Sequence, residues 1–132
     1  MDALGASLID ALDDGVVVTD ASLCVIAWNT AMERLSGVSR PEALGRPLAS
    51  VLGFLRDADV PAHLARALQG VRCSTGDVRF DVGARTRWIE ARYVPWYGDE
   101  GSVHGVVGTH VDVTDRREGS TFGGGVGGVG GW

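Results

Sequence analysis

The chain has 132 residues, of which 45% are hydrophobic and 22% are charged, so it is long enough for one domain with a core and too short for two. The formal net charge of -5 argues against nucleic acid as a partner, because phosphate binding requires a basic face. The sequence carries neither a basic, apolar leader nor an apolar run of the ~20 residues that a membrane span needs, so we expect a cytoplasmic domain without direct membrane contact.

One hairpin and several short helices are predicted for the first half of the chain. Residues 1–13 carry apolar side chains at helical spacing, which predicts an N-terminal helix that is too short to be stable without docking. Two strands, Gly15–Asp20 and Cys24–Trp28, form a hairpin, and Asn29 is placed to cap the next helix. Helices are then predicted over Thr30–Ser36, Arg40–Leu44, Pro47–Leu52 and Ala58–Leu68, and each is followed by a glycine that favours termination.

From Val71 onward the apolar residues recur with a period of two, which is typical of strands. Strands are predicted over Asp77–Val82, Thr86–Tyr97 and Val103–Asp115. The last strand is apolar on both faces, so we expect it to be covered on both. This order of elements predicts an α+β fold with an antiparallel sheet.

The end of the chain is low in complexity. Gly119–Trp132 has the composition of a flexible linker or tail, native or derived from cloning, although its four apolar residues leave open a segment that docks on the sheet of a neighbour. The predicted organisation is therefore a helix over residues 1–13, a domain over residues 14–118 and a tail over residues 119–132.

Four segments carry a family resemblance, which covers about Leu8 to Arg117. They are Gly15–Gly37, Arg40–Leu48, Trp88–Gly105 and the triplet Asp112-Val113-Thr114. Together they resemble a PAS domain. The resemblance implies a five-stranded antiparallel sheet with short helices on one face, an internal pocket for a small ligand, and an N-terminal helix at a dimer interface. It also implies that the Asp-Val-Thr triplet leads to an effector, as in a histidine kinase of a two-component system.

The resemblance and the strand alternation together give three sets of candidate residues. The predicted pocket wall consists of Val18, Val25, Ala27, Leu55, Leu64, Leu68, Phe80, Tyr93, Gly108 and His110. The predicted relay of the signal consists of Asp112 and Thr114. The predicted dimer interface consists of Leu4, Leu8, Ile9, Leu12, Ile26, Trp28, Val107 and Val111.

The cofactor stays open, but the residues argue against both flavin and haem. A flavin adduct needs a cysteine in the region Gly45–Leu55, which has none, and the spacing of Cys24 and Cys73 predicts no metal site. The one helical candidate for a haem ligand, His63, lies closer to the end of its helix than the resemblance implies, and Asp59 takes the matching place. His110 is either a pocket residue that titrates near neutral pH or a core histidine bonded to the backbone.

Catalytic function is not predicted. The sequence has no Ser-His-Asp arrangement, no paired carboxylates at a defined spacing and no phosphate-binding loop. Two functions therefore remain: a sensor of a small ligand, or a homodimeric interaction module without a ligand.

Overall fold

The computed structural model describes residues 3–55 and 58–122. Its strands are β1 (Gly15–Thr19), β2 (Val25–Trp28), β3 (Cys73–Val82), β4 (Arg85–Tyr97) and β5 (Val103–Asp112). Its helices are α1 (Ala3–Asp10), α2 (Thr30–Ser36), α3 (Arg40–Ala43), α4 (Leu48–Val51), α5 (Val60–Leu68) and α6 (Thr114–Phe122). The strands form one antiparallel sheet in the order β2-β1-β5-β4-β3, so the predicted α+β class and five-stranded sheet are confirmed.

The core lies on one face of the sheet, beneath α2 to α5. Val17 pairs with Trp28 on one side and with Gly108 on the other, so these positions share the core face. Tyr93 pairs with Gly108 from β4 and is fully buried. The apolar helix residues that pack against this face include Met32, Leu48, Leu52, Leu55 and Leu64.

The opposite face carries Val16, Val18 and Ala27, which are also buried. Trp96 lies across Gly105 on this face and donates its indole N–H to the carbonyl of Thr19 at 2.8 Å. A side chain at position 105 would collide with both groups. The sheet is therefore covered in part on both faces, as the apolar pattern of β5 predicts.

The ends of most elements follow the local signals in the sequence. Asn29 caps α2 by accepting the backbone N–H of Met32, and Gly37 ends that helix with a φ of 75°. The predicted strand Val103–Asp115 is too long, because β5 ends at Asp112 and Thr114 begins α6. α6 runs to Phe122, into the segment predicted to be a tail, and the rest of that segment lies outside the described residues.

Across the described ranges, none of the helices has the length and apolar character that a membrane span requires.

Candidate functional site

A polar cleft opens at one end of the sheet, where β1 begins and β5 ends. We call it the sheet-end cleft; its volume is about 340 Å³, within the lower range of small-molecule sites. It is lined by Asp13, Asp14, Gly15, Ala31, Arg34, Leu35, Phe80, Arg85, Arg87, His110 and Asp112. The cleft therefore combines three arginines, three aspartates and a histidine with a small apolar patch.

The cleft exists because β1, β5 and the start of β4 meet beneath α2. Gly15 pairs with His110, and Ile89 of β4 pairs with Asp112. A Cβ on Gly15 would lie 2.8 Å from the sulfur of Met32, so glycine lets α2 approach the sheet closely. The antiparallel register thus places the start of β1 beside the end of β5.

His110 forms the inner wall of the cleft and is only 1% exposed. Its Nε2 lies 3.1 Å from the hydroxyl of Tyr93, and its Nδ1 lies 3.4 Å from the carbonyl of Gly15. Since a carbonyl only accepts, Nδ1 carries the proton and Nε2 accepts the tyrosine O–H. Burial lowers the pKa of His110 to about 4, although the bond to Gly15 opposes this shift. The lowered pKa argues against titration of His110 near neutral pH, and the contact with Gly15 agrees with the alternative of a core histidine bonded to the backbone.

Tyr93 connects His110 to α5. A Cβ on Gly108 would lie 2.9 Å from the Tyr93 ring, so the glycine makes room for that ring. The ring of His63 stacks on that of Tyr93, with centroids 6.2 Å apart, and burial raises the pKa of the Tyr93 hydroxyl. Within the described chain, the buried Nδ1 of His63 has no hydrogen-bond partner.

Asp112 belongs both to the cleft and to the exit of the domain. Its Oδ2 accepts two bonds from Arg87, from Nη2 at 2.6 Å and from Nε at 3.0 Å. Its Oδ1 accepts the backbone N–H of Thr114, the first residue of α6, at 2.9 Å. Burial alone raises the pKa of Asp112, but the bonds from Thr114 and Arg87 outweigh it, so the pKa lies below its ordinary value.

The first turns of α6 are fixed to β3 and β4. Thr114 accepts the backbone N–H of Trp88 through its hydroxyl at 2.9 Å. Arg116 pairs with Asp77 at 2.7 Å, and the guanidinium of Arg117 lies 3.7 Å from the centre of the Trp88 ring. α6 is therefore attached by polar contacts that a change at the end of β5 would disturb.

On the other side of the cleft, Asn29 joins three elements. It is fully buried and accepts the N–H groups of Val16 and Met32 through its side-chain oxygen. Its amide donates to the carbonyls of Ile9 at 2.7 Å and Asp14 at 2.9 Å. All four hydrogen-bonding positions of the amide are thus used, and they fix α1, β1 and α2 relative to one another.

The structure brings together only part of the predicted pocket wall. Phe80 and His110 line the cleft, whereas Val25, Leu55, Leu64 and Tyr93 belong to the packed core, Gly108 lies beneath the Tyr93 ring, and Leu68 packs at the edge of the core. Val18 lies on the outer face, because its neighbour Val17 takes the core side. Ala27 also lies there, because the register shift opposite Val18 and Thr19 turns both Ile26 and Ala27 outward. The placement of Val18 and Ala27 in the pocket wall is therefore wrong.

The predicted interface residues are also divided between two environments. Leu4, Leu8 and Leu12 are 68%, 59% and 50% exposed, and Ile26 is exposed at the margin of the sheet. Ile9, Val107 and Val111 are half-buried. Trp28 is 1% exposed and donates its indole N–H to the carbonyl of Val38, so most of its side chain belongs to the core, and it also borders the groove beside Ile26 and Ala27.

The described residues contain neither a cluster of side chains that could ligate a metal nor a pocket at His63 that could hold a haem. Groups of three side chains that could ligate a metal are absent from them, and Cys24 and Cys73 are unpaired thiols. His63 faces the buried Tyr93 rather than the sheet-end cleft, and Asp59 is an exposed residue at the start of α5. The residues around His63 therefore do not fit a haem.

Sequence reasoning missed most of the charged residues of the cleft. Asp13, Asp14, Arg34, Arg85 and Arg87 come from a turn, a helix and the start of a strand, and of these only Arg34 lies within a segment that carries the family resemblance. Their common signal is charge at the ends of elements that an antiparallel sheet brings to one edge. That signal has meaning only after the strand order is known.

Comparisons with known proteins agree with this architecture. A family model described as "PAS fold" matches residues 3–113. A PAS domain from Colwellia psychrerythraea is 30% identical with a TM-score of 0.65, over 86% of this chain and 99% of that one. The PAS domain of BvgS from Bordetella pertussis is 23% identical with a TM-score of 0.62, over 87% of this chain and 87% of that one. The PAS domain of nitrogen regulation protein NR(II) from Vibrio parahaemolyticus is 19% identical with a TM-score of 0.62, over 84% of this chain and 99% of that one. No curated protein matches the chain.

Proposed function

Because the chain belongs to the PAS family of sensory and regulatory signalling modules, we propose that it senses a small ligand in the sheet-end cleft and relays the change through Asp112 and Thr114. In this proposal it is the input domain of a signal-transduction protein such as a histidine kinase.

A single residue carries the proposal, since Asp112 lines the cleft and also holds the first amide of α6. A ligand that attracts Arg87 or displaces Asp112 changes the hydrogen bond at the start of that helix. The ion pair is suited to such exchange because both side chains are about 30% exposed, so the two states differ little in free energy. The relay thus needs no movement of the buried core.

Native mass spectrometry of the purified protein tests whether a ligand is bound. We expect a mass excess that disappears on denaturation. Leu35→Trp, which places a larger side chain in the cleft, should abolish the excess. Leu44→Trp, the same change at an exposed leucine outside the cleft, should retain it. A wild-type mass equal to that of the chain alone would contradict ligand sensing and favour the second candidate.

The second candidate is a homodimeric interaction module, and one observation favours it. α1 is attached to the domain through Asn29 and through Asp10, which accepts from Thr30 and Arg40, while Leu4, Leu8 and Leu12 face outward. Beside this leucine ridge lies a groove of about 200 Å³. It is mostly apolar, with the ion pair of Asp10 and Arg40 at its side, and is lined by Ala6, Ile9, Asp10, Ile26, Ala27, Trp28, Arg40 and Leu44. A ridge next to an apolar groove is the arrangement that a two-fold axis makes self-complementary.

Light scattering at micromolar concentration tests the dimer. We expect a dimer for the wild type and a monomer for Leu8→Glu, because a carboxylate would have to enter a mostly apolar groove whose one arginine, Arg40, is already paired with Asp10. Val71→Glu is the matched control, since Val71 is another exposed apolar residue away from α1. A monomeric wild type would rule out this candidate.

A further inference from the structure

The charges of the sheet-end cleft are separated across it. Asp13 and Asp14 precede β1, whereas Arg85 begins β4, and β5 lies between these two strands. The strands β1 and β4 are therefore two strand spacings apart, about 10 Å. The β1 side of the cleft is therefore acidic, and the β4 side, which carries Arg85 and Arg87, is basic. Arg34 comes from α2, which packs on β1.

Most of these charges have no partner within the chain. Among the described residues, neither the carboxylates of Asp13 and Asp14 nor the guanidiniums of Arg34 and Arg85 make a hydrogen bond or ion pair, whereas Arg87 and Asp112 neutralise each other. Two cations and two anions are thus left for a ligand, and their formal charges cancel. A zwitterionic ligand pairs with both sides of the cleft, whereas a ligand with one kind of charge pairs with only one of them.

The apolar patch of the cleft consists of Ala31, Leu35 and Phe80. It lies between α2 and the β3–β4 hairpin, beside the charged walls. Resting on the proposed function of the cleft, we infer that its ligand is a zwitterion, a free amino acid with an apolar side chain. Its ammonium group binds Asp13 and Asp14, its carboxylate binds Arg85 and attracts Arg87 away from Asp112, and its side chain contacts the apolar patch. The volume of about 340 Å³ suits a molecule of this size.

Thermal unfolding in the presence of each proteinogenic L-amino acid at millimolar concentration tests the inference. We expect at least one apolar amino acid to raise Tm by about 5 °C, since ligands that bind only the folded state stabilise it. Two analogues of that amino acid are the controls: the amine, which lacks its carboxylate, and the carboxylic acid, which lacks its ammonium group. Neither analogue should raise Tm. Arg85→Gln and Asp14→Asn should each weaken the amino acid's binding about tenfold, because each removes a charge from one wall. Arg79→Gln and Asp99→Asn, which lie outside the cleft, should not.

Each contrary outcome has its own meaning. If no amino acid raises Tm, or if the acid alone acts as well as the zwitterion, the inference is wrong. If the purified protein nonetheless carries a different molecule that Leu35→Trp excludes, the proposed sensing function survives without the inference. If neither an amino acid nor a retained molecule binds, both fall together.

Discussion

Two polar junctions flank the sheet-end cleft, and they differ in burial and charge. At the entry of the domain, Asn29 is neutral, fully buried and bonded at all four positions. At the exit, Asp112 is charged, its side chain is 29% exposed, and it is shared between Arg87 and Thr114. Both use one side chain to join a strand end to a helix start.

The difference indicates which junction can transmit a signal. Removing a buried neutral amide leaves several backbone groups without water or a partner, so the entry junction has no low-energy alternative. A half-exposed ion pair is worth little and exchanges with solvent or ligand at small cost. We therefore expect the entry junction to determine stability and the exit junction to determine the state of α6.

Asn29→Ala should have the largest effect. It removes the partner of the buried N–H groups of Val16 and Met32 and of the carbonyl of Asp14, so we expect a loss of about 4 kcal/mol in the free energy of unfolding, measured in urea. Ser39→Ala, which removes the exposed cap of α3, is the control and should cost about 1 kcal/mol. If Asn29→Ala and Ser39→Ala lowered the free energy of unfolding equally, the buried entry junction would be no more important for stability than an exposed helix cap.

His110 should give the next largest effect, through pH. Its pKa is lowered to about 4 in the folded state from 6.5, so the unfolded state binds the proton first as the pH falls. Stability is then complete above pH 6.5 and decreases by about 3 kcal/mol between pH 6.5 and pH 4. His110→Gln should flatten this part of the profile, as followed by urea unfolding at each pH. Parallel profiles for the two proteins would show that His110 is not held neutral.

Asp112→Asn should have a small effect, about 1 kcal/mol near neutral pH, because the ion pair is partly exposed. Since the pKa of Asp112 is below its ordinary value, its stabilisation is present above pH 3.8 and is lost as the pH falls through the lowered value. The difference between wild type and variant in urea should therefore vanish in acid. A difference that stays constant down to acid pH would exclude a charge-dependent exit junction.

How far the sequence predicts this molecule depends on whether the signal is local. Asn29 as a cap, Gly37 as a helix end and the five-stranded sheet follow from local preferences and from the family resemblance. The sheet faces on which Ile26 and Ala27 lie do not follow from local preferences. They depend on a register shift between β1 and β2, which arises from the pairing of the strands and has no signal in the local sequence.

The site shows the same division. The resemblance singles out Asp112 and Thr114, and the structure shows that they are joined by a hydrogen bond at the start of α6. The partner of Asp112 is Arg87, and that pairing depends on the β4–β5 register, which no spacing along the chain encodes. The sequence therefore indicates that the domain ends at Asp112 and Thr114, but not that Arg87 is the cation that pairs with Asp112.

Hydrogen exchange of the backbone amides of α6 is the most direct test of the link between cleft and exit. Arg87→Gln should speed exchange across Thr114–Phe122 about fivefold, because Asp112 loses the partner that orients it. Arg79→Gln, which breaks the exposed pair between Arg79 and Asp81 on β3, should leave that exchange unchanged. Exchange in α6 that is the same in wild type and Arg87→Gln would contradict a relay through Asp112.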